Sequence, residues 1–195
     1  MPDVAEPDHR ALLREAIRQE ASAQQALLRG DAAVSRERFA AAAALYRASW
    51  EAAPPRSFGR LVGMAKAGVL AGHGGEEAAY VREALGGRCD SPPGCYALAI
   101  AALVQGDDEA AVHAAAGMRT EDPAFNRTAA AIDALARADA DGYEAAVRGI
   151  VADFEGRDAH LTGVPFADTA VMLERLARAR GLAVRPASAL MPTLG

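Results

Sequence analysis

The chain has 195 residues, is 51% hydrophobic, 24% charged and 5% aromatic, and carries a formal charge of −5. That length suits a single domain with a sizeable core, and the acidic balance removes the global basic footprint expected of a nucleic-acid-binding protein. The longest uncharged apolar stretch, Gly94–Val104, is shorter than a bilayer span, and the opening MPDVAEPDHR has neither the basic nor the apolar region of a signal peptide, so a soluble cytoplasmic protein without a membrane partner is expected.

Alanine is about a quarter of the chain. It is the best helix former and the smallest side chain that still buries apolar surface, and runs of β-branched residues are few, so an all-α fold is expected. Lys66 is the only lysine and Asn126 the only asparagine in an arginine-rich chain, a bias typical of a high-GC bacterial genome. The pattern predicts nine helices. The first runs from about Asp8 to Arg29 with Leu13, Ile17, Ala21, Gln24 and Leu28 on one face. Gly30 stops it and Asp31 caps the second, which carries Phe39, Ala43, Tyr46 and Trp50 and ends before Pro54–Pro55. The third spans about Ser57 to Gly72, and the fourth Glu76 to Leu85. Ser91–Pro92 opens the fifth, which ends at Gln105, since proline suits a first helical position. The sixth follows Gly106–Asp107 and ends near Arg119. Asp122–Pro123 opens the seventh, which runs to about Ala138. Asp141 with Glu144 reads as a capping box for the eighth, ending near Gly156. Gly156–Val164 is a loop. Pro165 opens the ninth, with Phe166, Ala170, Leu173 and Leu176–Ala177 inward and Asp168, Glu174, Arg175 and Arg178 on the wet face. Gly181 ends it, and Leu182–Gly195 is an extended tail.

A hairpin recurs along this series. Alanine pairs follow polar turns at Ala40–Ala41, Ala78–Ala79, Ala110–Ala111 and Ala145–Ala146, a period of roughly 35 residues, which is the length of a stacked helix pair. Residues 1–195 thus read as one domain, with repeats over 32–152, a terminal helix over 165–180 and a tail over 182–195. Ala111, Ala115, Met118 and Pro123 hold the spacing of tetratricopeptide-type repeats. Ala41, Leu45, Ala48 and Pro54 come within one residue of it, and Ala145, Gly149 and Ala152 match without the proline. The chain therefore resembles a degenerate tetratricopeptide-like solenoid of antiparallel α–α hairpins. That resemblance implies close helix crossings at Ala41, Ala111 and Ala145. The C-terminal stretch resembles the end of an all-helical family of bacterial immunity proteins from polymorphic toxin systems. It has Leu173, Leu176 and Ala177, then Arg180–Gly181–Leu182, then Ser188–Ala189–Leu190–Met191–Pro192, with Ala and Leu where the family has Pro and Tyr. This likeness implies a small protein that neutralises a cognate toxin.

Signals for chemistry are sparse. No Gly–Lys–Ser/Thr phosphate loop or Gly–x–Ser–x–Gly elbow occurs. His9, His73, His113 and His160 are scattered without a second ligand at helical spacing, and the acids around Gly142 fail a calcium loop because Arg137 would occupy its first position. No catalytic residue, cofactor or metal is expected. His73 in a glycine turn reads as an exposed hairpin. Cys89 and Cys95 read as free thiols, since no export signal points to an oxidising destination. Tyr46 and Trp50 read as core aromatics in preference to a recognition hot spot. Acids gather where second helices begin: Asp31, Glu76–Glu77, Asp107–Asp108–Glu109, and Asp141 with Glu144. One acid per turn is accounted for by the helix dipole, and the doubled and tripled acids are not. Glu76, Glu77, Asp107, Asp108 and Glu109 are therefore the candidate partner-binding residues, an edge for a basic protein. The expected function is non-catalytic binding of a protein partner, in the manner of an immunity protein. The alternative is an enzyme or small-molecule sensor with a pocket inside the helical curve, which the Ala, Leu, Ile and Val of the inward faces disfavour. An oligomer subunit with a purely structural role is a third reading.

Overall fold

The computed structural model describes residues 8–72 and 74–192; His73 lies outside the described residues. The described residues form nine α-helices and no strand: α1 (His9–Leu28), α2 (Ala32–Glu51), α3 (Gly59–Ala71), α4 (Gly75–Leu85), α5 (Pro92–Gln105), α6 (Asp108–Gly117), α7 (Pro123–Ala136), α8 (Ala140–Glu155) and α9 (Asp168–Ala179). The polar turns do what their residues dictate. Asp31, Ser91, Asp107 and Asp122 each accept a backbone N–H of the helix they precede, satisfying donors that have no partner inside the helix. Among the described residues no helix is long and apolar enough to cross a membrane.

Each helix packs against the next in the chain, as short connections require. Helices α3, α5 and α7 also touch one another in series, forming an inner row, and α9 packs on α3, α7 and α8. The last helix thus lies across the curve formed by the others and joins its middle to its end. Alanine makes the close packing possible: Ala42, Ala65, Ala67, Ala97, Ala99, Ala111, Ala129 and Ala170 are all buried. Larger side chains, including Phe39, Leu61, Met64, Tyr143, Phe166 and Leu173, fill the space between them.

Several local expectations are corrected. The alanine register holds at Ala111, which is fully buried, but Ala41 is only half-buried and Ala145 is exposed. The fourth hairpin instead buries Tyr143, Val147, Ile150 and Phe154. On α1 the buried face is Ala16, Glu20, Ala23, Gln24 and Leu27, with Leu28 exposed, because α2 covers a strip rotated from the bulkier aliphatics. The cap of α8 is Asp139, whose carboxylate accepts the Gly142 N–H, and Asp141 sits in the first turn. Pro165 precedes α9, which begins at Asp168 without a side-chain cap.

Glu174 is not on a wet face. It is 1% exposed and accepts hydrogen bonds from the Tyr143 hydroxyl at 2.8 Å, the Val184 N–H at 3.2 Å and the Arg185 N–H at 2.6 Å. The segment after α9 accordingly folds back, with Leu182, Val184, Leu190 and Met191 against the core and the Ala167 N–H donating to the Leu190 carbonyl at 3.1 Å.

Cys89 and Cys95 form a disulfide, with Cα atoms 4.7 Å apart, inside the range a bridge needs. Free thiols were expected for want of an export signal, and that expectation is corrected: the pairing is set by the local Asp90–Gly94 turn. That turn brings the two residues together, and Gly117 at the end of α6 leaves the sulfurs room; a Cβ there would collide with both. Tyr46 is buried and Trp50 stacks on Phe58 with ring centroids 5.9 Å apart, in agreement with the core reading of both.

Candidate functional site: a polar cavity inside the helical curve

A cavity of about 260 Å³ opens between α1, α3, α5, α7, α8, the loop before α9, and the start of α9. Its floor is built from charged residues that no single stretch of sequence brings together. Glu20 comes from α1, Lys66 from α3, Tyr96 from α5, and Asp168 and Thr169 from the first turn of α9.

The floor holds two hydrogen-bonded groups side by side. Lys66 Nζ donates to the carboxylate of Asp168 and to Thr169 Oγ1, the latter at 3.2 Å. The Thr169 N–H donates to Asp168 Oδ1 at 2.7 Å, and the Tyr96 hydroxyl lies 3.5 Å from Thr169 Oγ1. Beside them Glu20 Oε2 accepts from the Tyr46 hydroxyl at 2.6 Å, Gln24 Nε2 lies 3.4 Å from Glu20 Oε1, and Thr162 Oγ1 donates to Gln24 Oε1 at 2.6 Å. Gly63 makes the Tyr46 contact possible: a Cβ at Gly63 would come within 2.8 Å of the Tyr46 ring, so only glycine lets the phenol lie against α3 with its hydroxyl at Glu20.

Burial sets the protonation behaviour of this floor. Desolvation pushes the Glu20 carboxyl above the usual carboxylate range, and the charge of Asp168 adds to it, while the Lys66 ammonium and the Tyr46 hydroxyl act in the opposite sense. Desolvation works against the Lys66 ammonium, but the Asp168, Tyr96 and Glu20 charges outweigh it and hold the lysine protonated above its ordinary range. Burial raises the Tyr46 and Tyr96 hydroxyls as well, and nearby carboxylates contribute at both.

The rim is cationic. Arg127 from α7 and Arg157 after α8 share one carboxylate, Asp153, with Arg157 Nη2 donating at 2.6 Å. The Arg157 guanidinium lies over the Phe154 ring, 3.7 Å from its centroid, and the His160 ring stacks with the same aromatic at a centroid distance of 6.1 Å. His160 Nδ1 is buried with no hydrogen-bond partner among the described residues. Phe125, Phe154, Phe166 and Ile150 supply the apolar walls. Among the described residues no group of three or more His, Cys, Asp and Glu is placed to hold a metal ion.

No protein-family model, curated protein or solved structure matches this chain.

The acids expected to form a docking edge are placed one by one. Asp107 caps α6 through the Ala110 N–H at 3.1 Å and pairs with Arg82 at 3.2 Å. Asp108 pairs at 2.6 Å with Arg180, whose other nitrogen donates to the Leu103 carbonyl, so it helps hold the end of α9. Glu77 lies over Gly68 of α3, with one carboxylate oxygen buried and unpartnered. Glu76 and Glu109 are exposed in the first turns of α4 and α6. Three of the five are thus engaged within the fold.

Sequence reasoning missed the cavity, yet two signals were present. Lys66 is a lone charge deep in an otherwise apolar α3 segment, and Glu20 occupies the Ala16–Glu20–Ala23–Leu27 register of a buried face. The inward faces are therefore not purely aliphatic, which was the ground for disfavouring an internal pocket.

Proposed function

We propose that this chain is a non-catalytic small-molecule-binding protein whose ligand occupies the cavity inside the helical curve. The observation that carries the reading is the convergence of Glu20, Lys66 and Asp168 from three sequence-distant helices onto the floor of one open cavity. Burying charge is costly unless it is paired or used. A hydrophobic filling of the same space would stabilise the fold at least as well, so charge retained beside empty volume supports recognition. Apolar walls with a few convergent polar groups are the usual make-up of a ligand site. Binding is favoured over turnover because the Lys66 ammonium, the Tyr46 hydroxyl and the Thr169 hydroxyl are each engaged with a neighbouring carboxylate. The cavity has more in its favour than the acidic edge, since Asp107 and Asp108 are occupied by Arg82 and Arg180.

The test is a thermal-shift screen of the full chain against a chemically diverse panel of small polar molecules. A ligand present at about a hundred times its Kd stabilises by about 2.7 kcal/mol, which for a domain of this size raises Tm by about 5–10 °C. Ala124 lines the cavity from the rim, so Ala124→Trp should fill it and remove the shift while leaving the helical circular dichroism intact. A panel with no dose-dependent shift, or a shift that survives in Ala124→Trp, would overturn the reading.

A further inference from the structure

We propose that the ligand is a small zwitterion of the amino-acid class with an apolar side chain, its ammonium held at the Glu20–Asp168 end and its carboxylate at Arg127 and Arg157. This rests on the reading of the cavity as a ligand site. Ion-pair partners are unequal in number at the two ends of the cavity. On the floor two carboxylates, Glu20 and Asp168, face one ammonium, Lys66, which is paired with Asp168. Among the described residues Glu20 has no ion-pair partner, its donors being the neutral Tyr46 hydroxyl and Gln24 amide; burial favours its neutral form, and a ligand ammonium beside it would hold it ionised. On the rim two guanidiniums face one carboxylate, Asp153. Neither guanidinium therefore has a carboxylate to itself. Asp122 also lines the rim but accepts the Ala124 N–H at 2.8 Å and sits against the positive end of the α7 dipole.

Each candidate charge type satisfies the two ends differently. A simple amine would pair with Glu20 and leave Arg127 and Arg157 to share Asp153. A simple anion would do the reverse and place a second negative group in the same space as Glu20. A zwitterion offsets both. Guanidiniums bind carboxylates with matched geometry, and the Arg127 and Arg157 side chains are 33% and 37% exposed, so both can be reached from the cavity mouth. Between the two ends Phe125, Phe154, Phe166 and Ile150 offer apolar contact. The volume, about 260 Å³, falls near the lower end of the ~300–1,000 Å³ typical of ligand sites, which suits a single amino acid better than a peptide or a nucleotide.

The experiment is isothermal titration of the full chain with the common L-amino acids, each binder then compared with its N-acetyl and amide derivatives. An apolar amino acid should bind, and each blocked derivative should bind about tenfold more weakly or worse. Glu20→Gln, which keeps the shape and the Tyr46 contact, should weaken the amino acid and its amide and leave the N-acetyl form unchanged. Arg157→Gln, which leaves Asp153 paired with Arg127, should weaken the amino acid and the N-acetyl form and leave the amide unchanged, with circular dichroism confirming the helical fold. An N-acetyl form that binds as tightly as the free amino acid overturns the ammonium end; an amide that does so overturns the carboxylate end. If no amino acid binds while a panel compound still shifts the wild type and not Ala124→Trp, this inference falls and the cavity reading stands. If no compound of any kind shifts the wild type, both fall.

Discussion

Replacing Glu174 by alanine should be among the most damaging single changes in this fold. The carboxylate accepts three hydrogen bonds, from the Tyr143 hydroxyl and from the Val184 and Arg185 amides. Its loss has unequal consequences at the three donors. Val184 is half-buried and Arg185 exposed, so their amides recover water once the segment loosens. Tyr143 is 0% exposed and cannot, which leaves an unsatisfied hydroxyl at about 1–3 kcal/mol, on top of about 1.5–3 kcal/mol for a charge-assisted bond. Two terms act the other way. Alanine removes a buried carboxylate, and Arg185, held at φ 53°, can leave a left-handed conformation that costs a non-glycine residue about 1–2 kcal/mol. The net loss should be about 2–4 kcal/mol, a fall in Tm of about 5–15 °C. Thermal denaturation followed by circular dichroism measures it, and hydrogen exchange should show the Val184 and Arg185 amides losing protection before α9 does. Tyr143→Phe in the same background removes the stranded hydroxyl, so the double variant should be more stable than additivity predicts. A Tm within about 2 °C of wild type, or strict additivity, would refute the assignment of Glu174 as the tie between α8, α9 and the returning segment.

Gly117→Ala should destabilise by about 1–3 kcal/mol, because its Cβ collides with the Cys89–Cys95 bridge; the penalty should shrink in a Cys89→Ser, Cys95→Ser background, and an equal penalty there would place the clash elsewhere. Stability should fall as pH rises past about 10, the ordinary tyrosine value. Tyr46, Tyr96 and Tyr143 are all raised, first by burial, so the unfolded chain releases protons that the folded chain retains. Most of the phenolate absorbance in a pH titration should therefore rise in step with the loss of helix, Tyr80 being the fourth and less buried tyrosine. More than one phenolate appearing while the helices persist would contradict the burial of the other three.

The helical framework was legible because its punctuation is local. Asp31, Asp107 and Asp122 cap the helices that immediately follow them, and this needs no knowledge of the rest of the chain. What was illegible depends on distant partners. Glu174 reads as solvent-facing beside Arg175 and Arg178 until the segment after α9 returns over it. The register of α1 follows the strip that α2 covers, so small alanines are buried and Leu28 is not. Cys89 and Cys95 meet only because of the turn between them. The cavity is the extreme case: α1, α3, α5, α7, α8 and α9 all contribute, and no window of sequence contains two of its charged floor residues from different helices.

The return of α9 across the curve sets an order of events in folding. Contacts among α1 to α8 are mostly between neighbours in the chain, and such local pairs form with little loop-closure cost. Lys66 and Asp168 are 102 residues apart, and Gln24 and Thr162 are 138 apart. The array of hairpins can therefore assemble before α9 docks, whereas the cavity exists only once the last helix has closed over it. If the cavity binds as proposed, competence to bind becomes a readout of complete folding, and a molecule held there would brace the closure that joins α3 to α7 and α8 through α9.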